Sequence, residues 1–260
     1  MRATKTEYEF QYLDGQVDAS PLWESHCHIN FEMIAVVEGD ISVVIEGRRF
    51  RCMANQIVIL PPLTYHSVRA NQRSSYRRLT ALFDESAIPE AIRADVVREL
   101  KSDPVISHSV LPQTVEKLVG AVGEKGRERY MALAESLMVQ IFYACVDRKD
   151  EQTSSKEPDE AISGVIGYID DHICEKISLD EIAASLFVSK STLCHSFKEK
   201  MKISVKQYIV QKKIALAAKM MRDGASAAEA AHRVGYENYS NFYRMYRKNF
   251  DVTPSGTKRE

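Results

Sequence analysis

The 260-residue chain contains no apolar run long enough to cross a bilayer. Its opening, Met1 to Phe10, is too charged and too poor in apolar residues for a secretory signal. Together these absences give the expectation of a cytoplasmic protein. Cysteine is scarce as well: Cys27, Cys52, Cys145, Cys174 and Cys194 are an odd number, scattered without a Cys-x-x-Cys spacing. That argues against a disulfide framework or a zinc ribbon, and the thiols are expected to be reduced. No excess of one charge stands out, because the formal net charge is −1. The balance hides an asymmetry, however. From Glu160 onward there are 16 Lys and Arg against 12 Asp and Glu, which leaves 19 against 24 for the residues before it. Hydrophobic and charged contents are ordinary for a globular protein, and the length suffices for two domains with separate cores.

The informative stretch is Ser226 to Pro254. It reads as a short helix packed by Ala230, Ala231 and Val234, a turn at Gly235, and a second helix from Tyr239 to Phe250. In that second helix Phe242, Tyr246 and Phe250 recur at i, i+4 and i+8, so one face is buried while Arg244, Arg247 and Lys248 stay outside. A basic helix held at a fixed angle by a tight turn is what reading the DNA major groove requires. A second copy lies upstream, about 48 residues earlier. There the helix through Ile182, Ala183 and Leu186 is followed by the turn Phe187-Val188-Ser189 and a basic helix from Lys190 to Lys202, with Leu193, Phe197 and Met201 on its apolar face. Ser178-x-x-Glu181 and Ser226-x-x-Glu229 supply the same capping-box signal to both copies. Between them Ser204 to Met221 has no Gly or Pro, so it predicts a helical rod of roughly 27 Å. Two reading helices on such a rod suit successive major grooves about 34 Å apart.

These residues carry a family resemblance. Leu179-x-x-Ile182-Ala183, Ser189-x-x-x-Leu193-x-x-x-Phe197-Lys198, Ala230-x-x-x-Val234-Gly235-Tyr236 and Phe242-x-Arg244-x-Tyr246-Arg247-Lys248, leading to Val252-Thr253-Pro254, resemble the DNA-binding domain of the AraC/XylS regulators. His195 stands where that family usually has Arg. The resemblance implies base-facing positions at Ser191, Cys194 and His195 in the first unit, and at Tyr239, Ser240, Tyr243 and Arg244 in the second. Lys190, Lys198, Arg247 and Lys248 complete the expected DNA-contacting set.

The amino-terminal half has strand patterning. Phe31–Val37, Ile41–Ile45, Arg49–Cys52, Ile57–Leu60 and Tyr76–Phe83 are short β-branched or aromatic runs separated by turn residues, which predicts a small β-sandwich or jelly-roll barrel. On it sits His26-x-His28-x-x-x-Glu32 with Gly39 seven residues on, then Pro61-x-x-x-x-His66. This pattern resembles the two cupin motifs, whose His and Glu residues converge on a metal inside the barrel. The even offsets predict that His26, His28 and Glu32 share one side of a single extended strand. Imidazole with carboxylate suits iron, manganese, nickel or zinc. The reading adopted is contact with a small-molecule effector, with Trp23, Phe31 and Tyr65 as aromatic walls and no metal or cofactor assigned. Helical patterning follows at 87–100, 112–122 and 128–148. The last carries Met131, Ala134, Leu137, Met138, Ile141 and Cys145 as an apolar seam, and the resemblance implies that this helix is the dimerisation element. Residues 147–159, DRKDEQTSSKEPD, are polar throughout and read as a linker.

The fold expected is therefore α+β in two domains. Residues 1–148 form a cupin-like effector-binding and dimerisation barrel with trailing helices, 149–158 the linker, and 159–260 an all-α DNA-binding domain with two helix-turn-helix units. The function expected is ligand-responsive, sequence-specific transcription regulation, as an activator of a carbohydrate or metabolite operon. Double-stranded DNA, a small effector such as a sugar, RNA polymerase and a second copy of the chain are the partners implied. The rival from another class is a metal-dependent cupin enzyme fused to a DNA-targeting domain.

Overall fold

A computed structural model describes residues 8–18, 21–123, 127–147, 160–250 and 252–256. The proposed linker lies outside the described residues. The chain divides into two compact units; among the described residues one carries nine strands and three α-helices, and the other six α-helices together with the short segments 25–29 and 46–48.

In the first unit β1 (Glu9–Val17), β2 (Pro21–His26), β3 (Phe31–Glu38), β4 (Asp40–Ile45), β5 (Arg48–Met53), β6 (Gln56–Leu60), β7 (His66–Ala70), β8 (Ser74–Phe83) and β9 (Val105–Ile106) make two sheets. The five-stranded sheet runs β1-β8-β3-β6-β9 and the four-stranded sheet β2-β7-β4-β5. Antiparallel register places Ile34 opposite Val58 and Thr80, and Val43 opposite Val68. Side-chain alternation then sorts the five-stranded sheet into two buried faces. Ile34, Val36, Val58 and Leu60 meet Ile41, Val43, Phe50 and Val68 of the other sheet, closing a sandwich. Phe31, Met33, Ala35, Ile57, Leu79, Ala81 and Phe83 point the other way, against helices. Strands buried on both faces read as continuous apolar runs, which is why FEMIAVV and QIVIL lack polar alternation.

Those helices are α1 (Glu90–Ser102), α2 (Leu111–Gly123) and α3 (Arg127–Val146). The seam read as a dimer interface is corrected here. Ala134, Leu137, Met138, Ile141 and Cys145 are buried in this unit's own core, packed with the sheet and with α1 and α2. Periodicity identified an apolar face, and this unit's own core, with α1 and α2, already covers it. Burial of a leucine or isoleucine side chain of this kind stabilises by about 1.5–3 kcal/mol, so the seam holds the unit itself together.

The second unit comprises α4 (Glu160–Asp171), α5 (Leu179–Ser185), α6 (Lys190–Met201), α7 (Val205–Arg222), α8 (Ala227–Arg233) and α9 (Tyr239–Phe250). The central rod is α7, 18 residues long. Its Ile214, Ala217, Ala218 and Met221 pack with Ala230, Ala231 and Val234 of the α8 end and with Phe242 and Tyr246 of α9. No helix among the described residues is long and apolar enough to cross a membrane.

Candidate nucleic-acid interface and effector site

The first helix-turn-helix starts at Ser178, whose hydroxyl accepts from the Asp180 amide while the Glu181 carboxylate accepts from the Ser178 amide, so the capping box is complete. α5 ends in a tight turn in which the Phe187 and Val188 amides donate to the carbonyls of Ala184 and Ala183, at 3.2 and 3.0 Å. Phe187 has φ 54°. The Ser189 hydroxyl then caps α6. Leu193, Phe197 and Met201 are buried, as their i, i+4, i+8 spacing predicts. Lys190, Ser191, His195 and Lys198 are exposed and Cys194 is half-buried.

The second unit repeats this plan. Ser226 caps α8, but Glu229 does not complete the reciprocal bond; its carboxylate accepts from Arg233 at 2.6 Å, one helical turn on. The amides of Gly235 and Tyr236 donate to the carbonyls of His232 and Ala231, both at 2.9 Å. α9 buries Phe242 and Tyr246 and leaves Tyr239, Ser240, Arg244, Arg247 and Lys248 exposed, with Tyr243 half-buried. Every side chain assigned to DNA therefore lies off the buried faces of its helix. Lys190 is engaged by Asp180 at 2.9 Å, although both are well exposed, so the pair opposes transfer of Lys190 to a phosphate only weakly.

One residue that positions this surface escaped sequence reasoning. Lys213 on α7 is buried, and its ammonium donates to the carbonyls of Glu175 and Val234, each at 2.6 Å. It ties the α8–α9 turn to the segment before α5. Burial holds the Lys213 pKa below its usual value, with Cys174 and Glu175 partly opposing. Nothing in the local pattern IVQKKIALAA distinguishes Lys213 from a solvated lysine.

In the β-rich unit the structure brings Glu32 and His66 together, while residues 25–29, with His26 and His28, group with the other unit. His26, His28 and Glu32 do not share one strand. β2 ends at His26, 27–30 turn, and β3 begins at Phe31, in the other sheet. Glu32 and His66 are buried, while His26 and His28 are half-buried with ring centroids 5.6 Å apart. The His66 Nδ1–H donates to the Thr64 carbonyl at 2.9 Å, and His66 Nε2 lies 3.2 Å from Glu32 Oε2.

Of the aromatic walls expected, Phe31 is elsewhere. It follows the alternation of β3 to the helix-covered face and stacks on Phe83 at 5.4 Å, with Glu32 pointing to the opposite side. Tyr65 is buried next to His66. Trp23 lies in β2, and its side chain is outside the described residues.

β8 contributes what the sequence reading missed. Tyr76, Arg78 and Thr80 alternate onto the sandwich side, and all three are buried. The Arg78 guanidinium carbon sits 5.9 Å from the Tyr76 ring centroid. Burial lowers the Arg78 pKa, with Tyr76 and Glu32 opposing, and burial pushes the Tyr76 hydroxyl up to about 12. The hydroxyls of Tyr76 and Thr80 have no hydrogen-bond partner among the described residues. Their signal was present in SSYRRLTALF, where an arginine and a threonine occupy the same parity as buried Tyr76. A cleft of about 310 Å³ opens at Glu32 and Thr80, lined also by Glu9, Phe10, Gln11 and Leu82.

Comparison with known proteins joins the two sites. The model of an AraC-like ligand binding domain matches residues 18–142, and that of a helix-turn-helix domain matches 182–260. An uncharacterized HTH-type transcriptional regulator of Escherichia coli K12, YdiP, is 23% identical over 258 residues, covering 92% of this chain and 83% of that protein. The HTH-type transcriptional activator RhaS of Escherichia coli is 23% identical over 153 residues, 57% of this chain and 54% of RhaS. Among solved structures, fatty-acid-bound ToxT from Vibrio cholerae aligns over 98% of this chain and 96% of its own, with 12% identity and a TM-score of 0.45.

Proposed function

The chain belongs to the AraC family of regulators, with an AraC-like ligand binding domain and a helix-turn-helix domain in one polypeptide, and from that premise we propose how its parts divide the work. It is a ligand-responsive, DNA-binding transcription regulator. Residues 1–148 act as the effector half and 159–260 as the DNA-binding half, with 149–158 as the joint between them. α6 and α9 enter successive major grooves, and Ser191, Cys194, His195, Tyr239, Ser240, Tyr243 and Arg244 face the bases. Lys190, Lys198, Arg247 and Lys248 meet phosphates, which fix register without reading sequence.

The observation that carries this reading is the duplicated unit itself: two capped helices with buried apolar faces and exposed polar ones on a shared rod. A small polar effector sits in the β-sandwich at the cleft beside Glu32, where the hydroxyl of Thr80 offers buried bonding capacity. Its differential affinity for two states of the protein shifts operator occupancy. The protein works as a cytoplasmic homodimer that contacts RNA polymerase and activates transcription; the activator RhaS among its relatives supports that sign. It acts by binding and not by turnover.

Operator binding by the full chain, on a duplex selected from random sequences, tests the core of this reading. Affinity should fall linearly with salt on logarithmic axes as contacted phosphates release counterions. Arg244→Ala should cost about 1–3 kcal/mol of operator affinity, because a guanidinium makes a bidentate contact to guanine. A salt-independent affinity, together with an Arg244→Ala variant that binds as wild type, rejects the major-groove assignment.

A further inference from the structure

We propose that the cleft beside Glu32 takes a short aliphatic diamine, held between the carboxylates of Glu9 and Glu32 over a floor made by Leu82. This rests on the reading of that cleft as the effector site. The geometry comes from strand register. Leu82 of β8 pairs with Glu9 of β1 on one side and with Glu32 of β3 on the other. Residues directly opposite one another on neighbouring strands project to the same face, so Glu9, Leu82 and Glu32 make one row across the sheet. Two strand spacings put the outer two backbones about 9.5 Å apart. The next row on that face is Gln11, Thr80 and Ile34. The cleft of about 310 Å³ is lined by Glu9, Gln11, Glu32, Thr80 and Leu82 from these rows, with Phe10 beside them.

Each polar side chain in that lining carries an oxygen able to accept a hydrogen bond, and none is cationic. Two carboxylates repel a carboxylate or phosphate ligand and attract an ammonium. Their separation by the half-buried Leu82 selects further. A molecule with an ammonium at each end lays its methylenes on the leucine and meets a carboxylate at both ends, in charge-assisted hydrogen bonds. A ligand with one cation leaves one carboxylate uncompensated, and a polyol leaves both.

An independent observation also points to a ligand here. Thr80 is 6% exposed, and its hydroxyl lines the cleft with no hydrogen-bond partner among the described residues. A buried hydroxyl left unbonded is costly, and an ammonium, with three N–H donors, satisfies it while still bonding a carboxylate. Glu32 is held in position, with His66 Nε2 at 3.2 Å from Oε2. Arg78 interacts with Glu32 electrostatically but lies outside the lining, two residues along β8 from Thr80. Glu9 and Gln11 are exposed on β1, the edge strand of its sheet, which leaves a side from which a small molecule enters.

The test titrates the full chain with putrescine and with cadaverine, and with butanediol and succinate as the neutral and anionic counterparts of putrescine, by calorimetry and by melting temperature. One diamine per chain is expected, with a rise in melting temperature, since a ligand bound only by the folded state stabilises it. Butanediol and succinate should produce neither at the same concentration. Thr80→Val, nearly isosteric, should weaken diamine binding by about 10-fold or more, the worth of a hydrogen bond to a charged group. Glu9→Gln should weaken it by about 2- to 5-fold, as for an exposed ion pair. Melting temperatures without ligand distinguish lost binding from lost folding, and Glu9→Gln, on the exposed edge, keeps the test decisive if Thr80→Val does not fold. A chain that binds neither diamine, or binds butanediol or succinate more tightly, overturns the proposal. So do folded variants that both bind the diamines as wild type. Operator affinity is measured on the same chain without ligand, so failure of the diamine leaves the DNA-binding reading standing. A diamine that binds and leaves operator affinity unchanged upholds the ligand and counts against its regulatory role.

Discussion

The two helix-turn-helix units repeat the same backbone at a spacing of about 48 residues and hold it with different chemistry. Both begin at a serine cap, and in both the turn is closed by the same pair of amide-to-carbonyl bonds, at 3.2 and 3.0 Å in the first unit and 2.9 and 2.9 Å in the second. At the matching turn position the chain is left-handed in each: Phe187 at φ 54° and Gly235 at φ 79°. Phe187 is 96% exposed. Gly235 instead sits where an added Cβ would lie 3.0 Å from Lys213 Nζ and 3.1 and 3.2 Å from the carbonyl oxygens of Glu175 and Cys174. The motif therefore dictates the backbone conformation, and the surroundings dictate which residue adopts it. A turn in open solvent accommodates a side chain at a modest conformational cost. A turn braced by a buried ammonium has no space for one.

Exchanging the two residues is the most severe way to break this comparison. Gly235→Phe adds the left-handed cost of about 1–2 kcal/mol to an overpacking cost of about 1–3 kcal/mol. The expected result is a loss of about 2–5 kcal/mol in urea unfolding of the DNA-binding half, from those two terms together. A fall of under about 1 kcal/mol would mean that the brace yields, contrary to the packing described.

Removing the brace is the next largest change. Lys213→Met keeps the aliphatic stem and deletes two short bonds from a charged donor, together worth about 3 kcal/mol or more, but also relieves the cost of burying the ammonium, so a loss of about 2–4 kcal/mol is expected. The pH dependence has a definite sign. Burial holds the Lys213 pKa below its unfolded value, so in the window below the ordinary lysine value the unfolded chain binds more protons than the folded one. This group's contribution to stability therefore rises with pH through that window. Lys213→Met should flatten the rise; an unchanged slope of unfolding free energy against pH would remove Lys213 as its source.

The sequence carried the second unit well because its signals are local. The span 239–250 predicted for α9 is the span observed, since Phe242, Tyr246 and Phe250 define one face and nothing interrupts them. Capping at Ser178 and Ser226 was equally readable, although Glu229 turned to Arg233, a competition between two neighbours that the Ser-x-x-Glu pattern does not encode. The β-rich unit was harder. β1 is an edge strand with several exposed residues, including Tyr12 and Leu13, so it lacks the apolar alternation that marks a strand. The α3 seam was visible as an apolar face, but periodicity does not say whether the same chain or a second one covers it. His26, His28 and Glu32 were chosen by parity on one strand, but β2 ends at His26 and Glu32 lies in β3, of the other sheet. Phe31 shows the limit of adjacency in sequence: one residue from Glu32, it lies on the opposite face.

The smallest change runs the other way across the comparison. Phe187→Gly removes the left-handed cost of about 1–2 kcal/mol, while glycine's extra freedom in the unfolded chain takes back about 0.5–1 kcal/mol. Almost no packing is lost, because the ring is 96% exposed. The net expected is a stabilisation between about zero and 1.5 kcal/mol, read as an equal or slightly higher urea midpoint with an unchanged slope. Destabilisation beyond about 1 kcal/mol would mean that the Phe187 ring is packed in solution, contrary to its exposure here, and the difference between the two turns would lie in which neighbours pack on them instead of in whether any do. A stabilised variant fixes the opposite conclusion: the first turn tolerates phenylalanine at a cost that its exposed surroundings never offset.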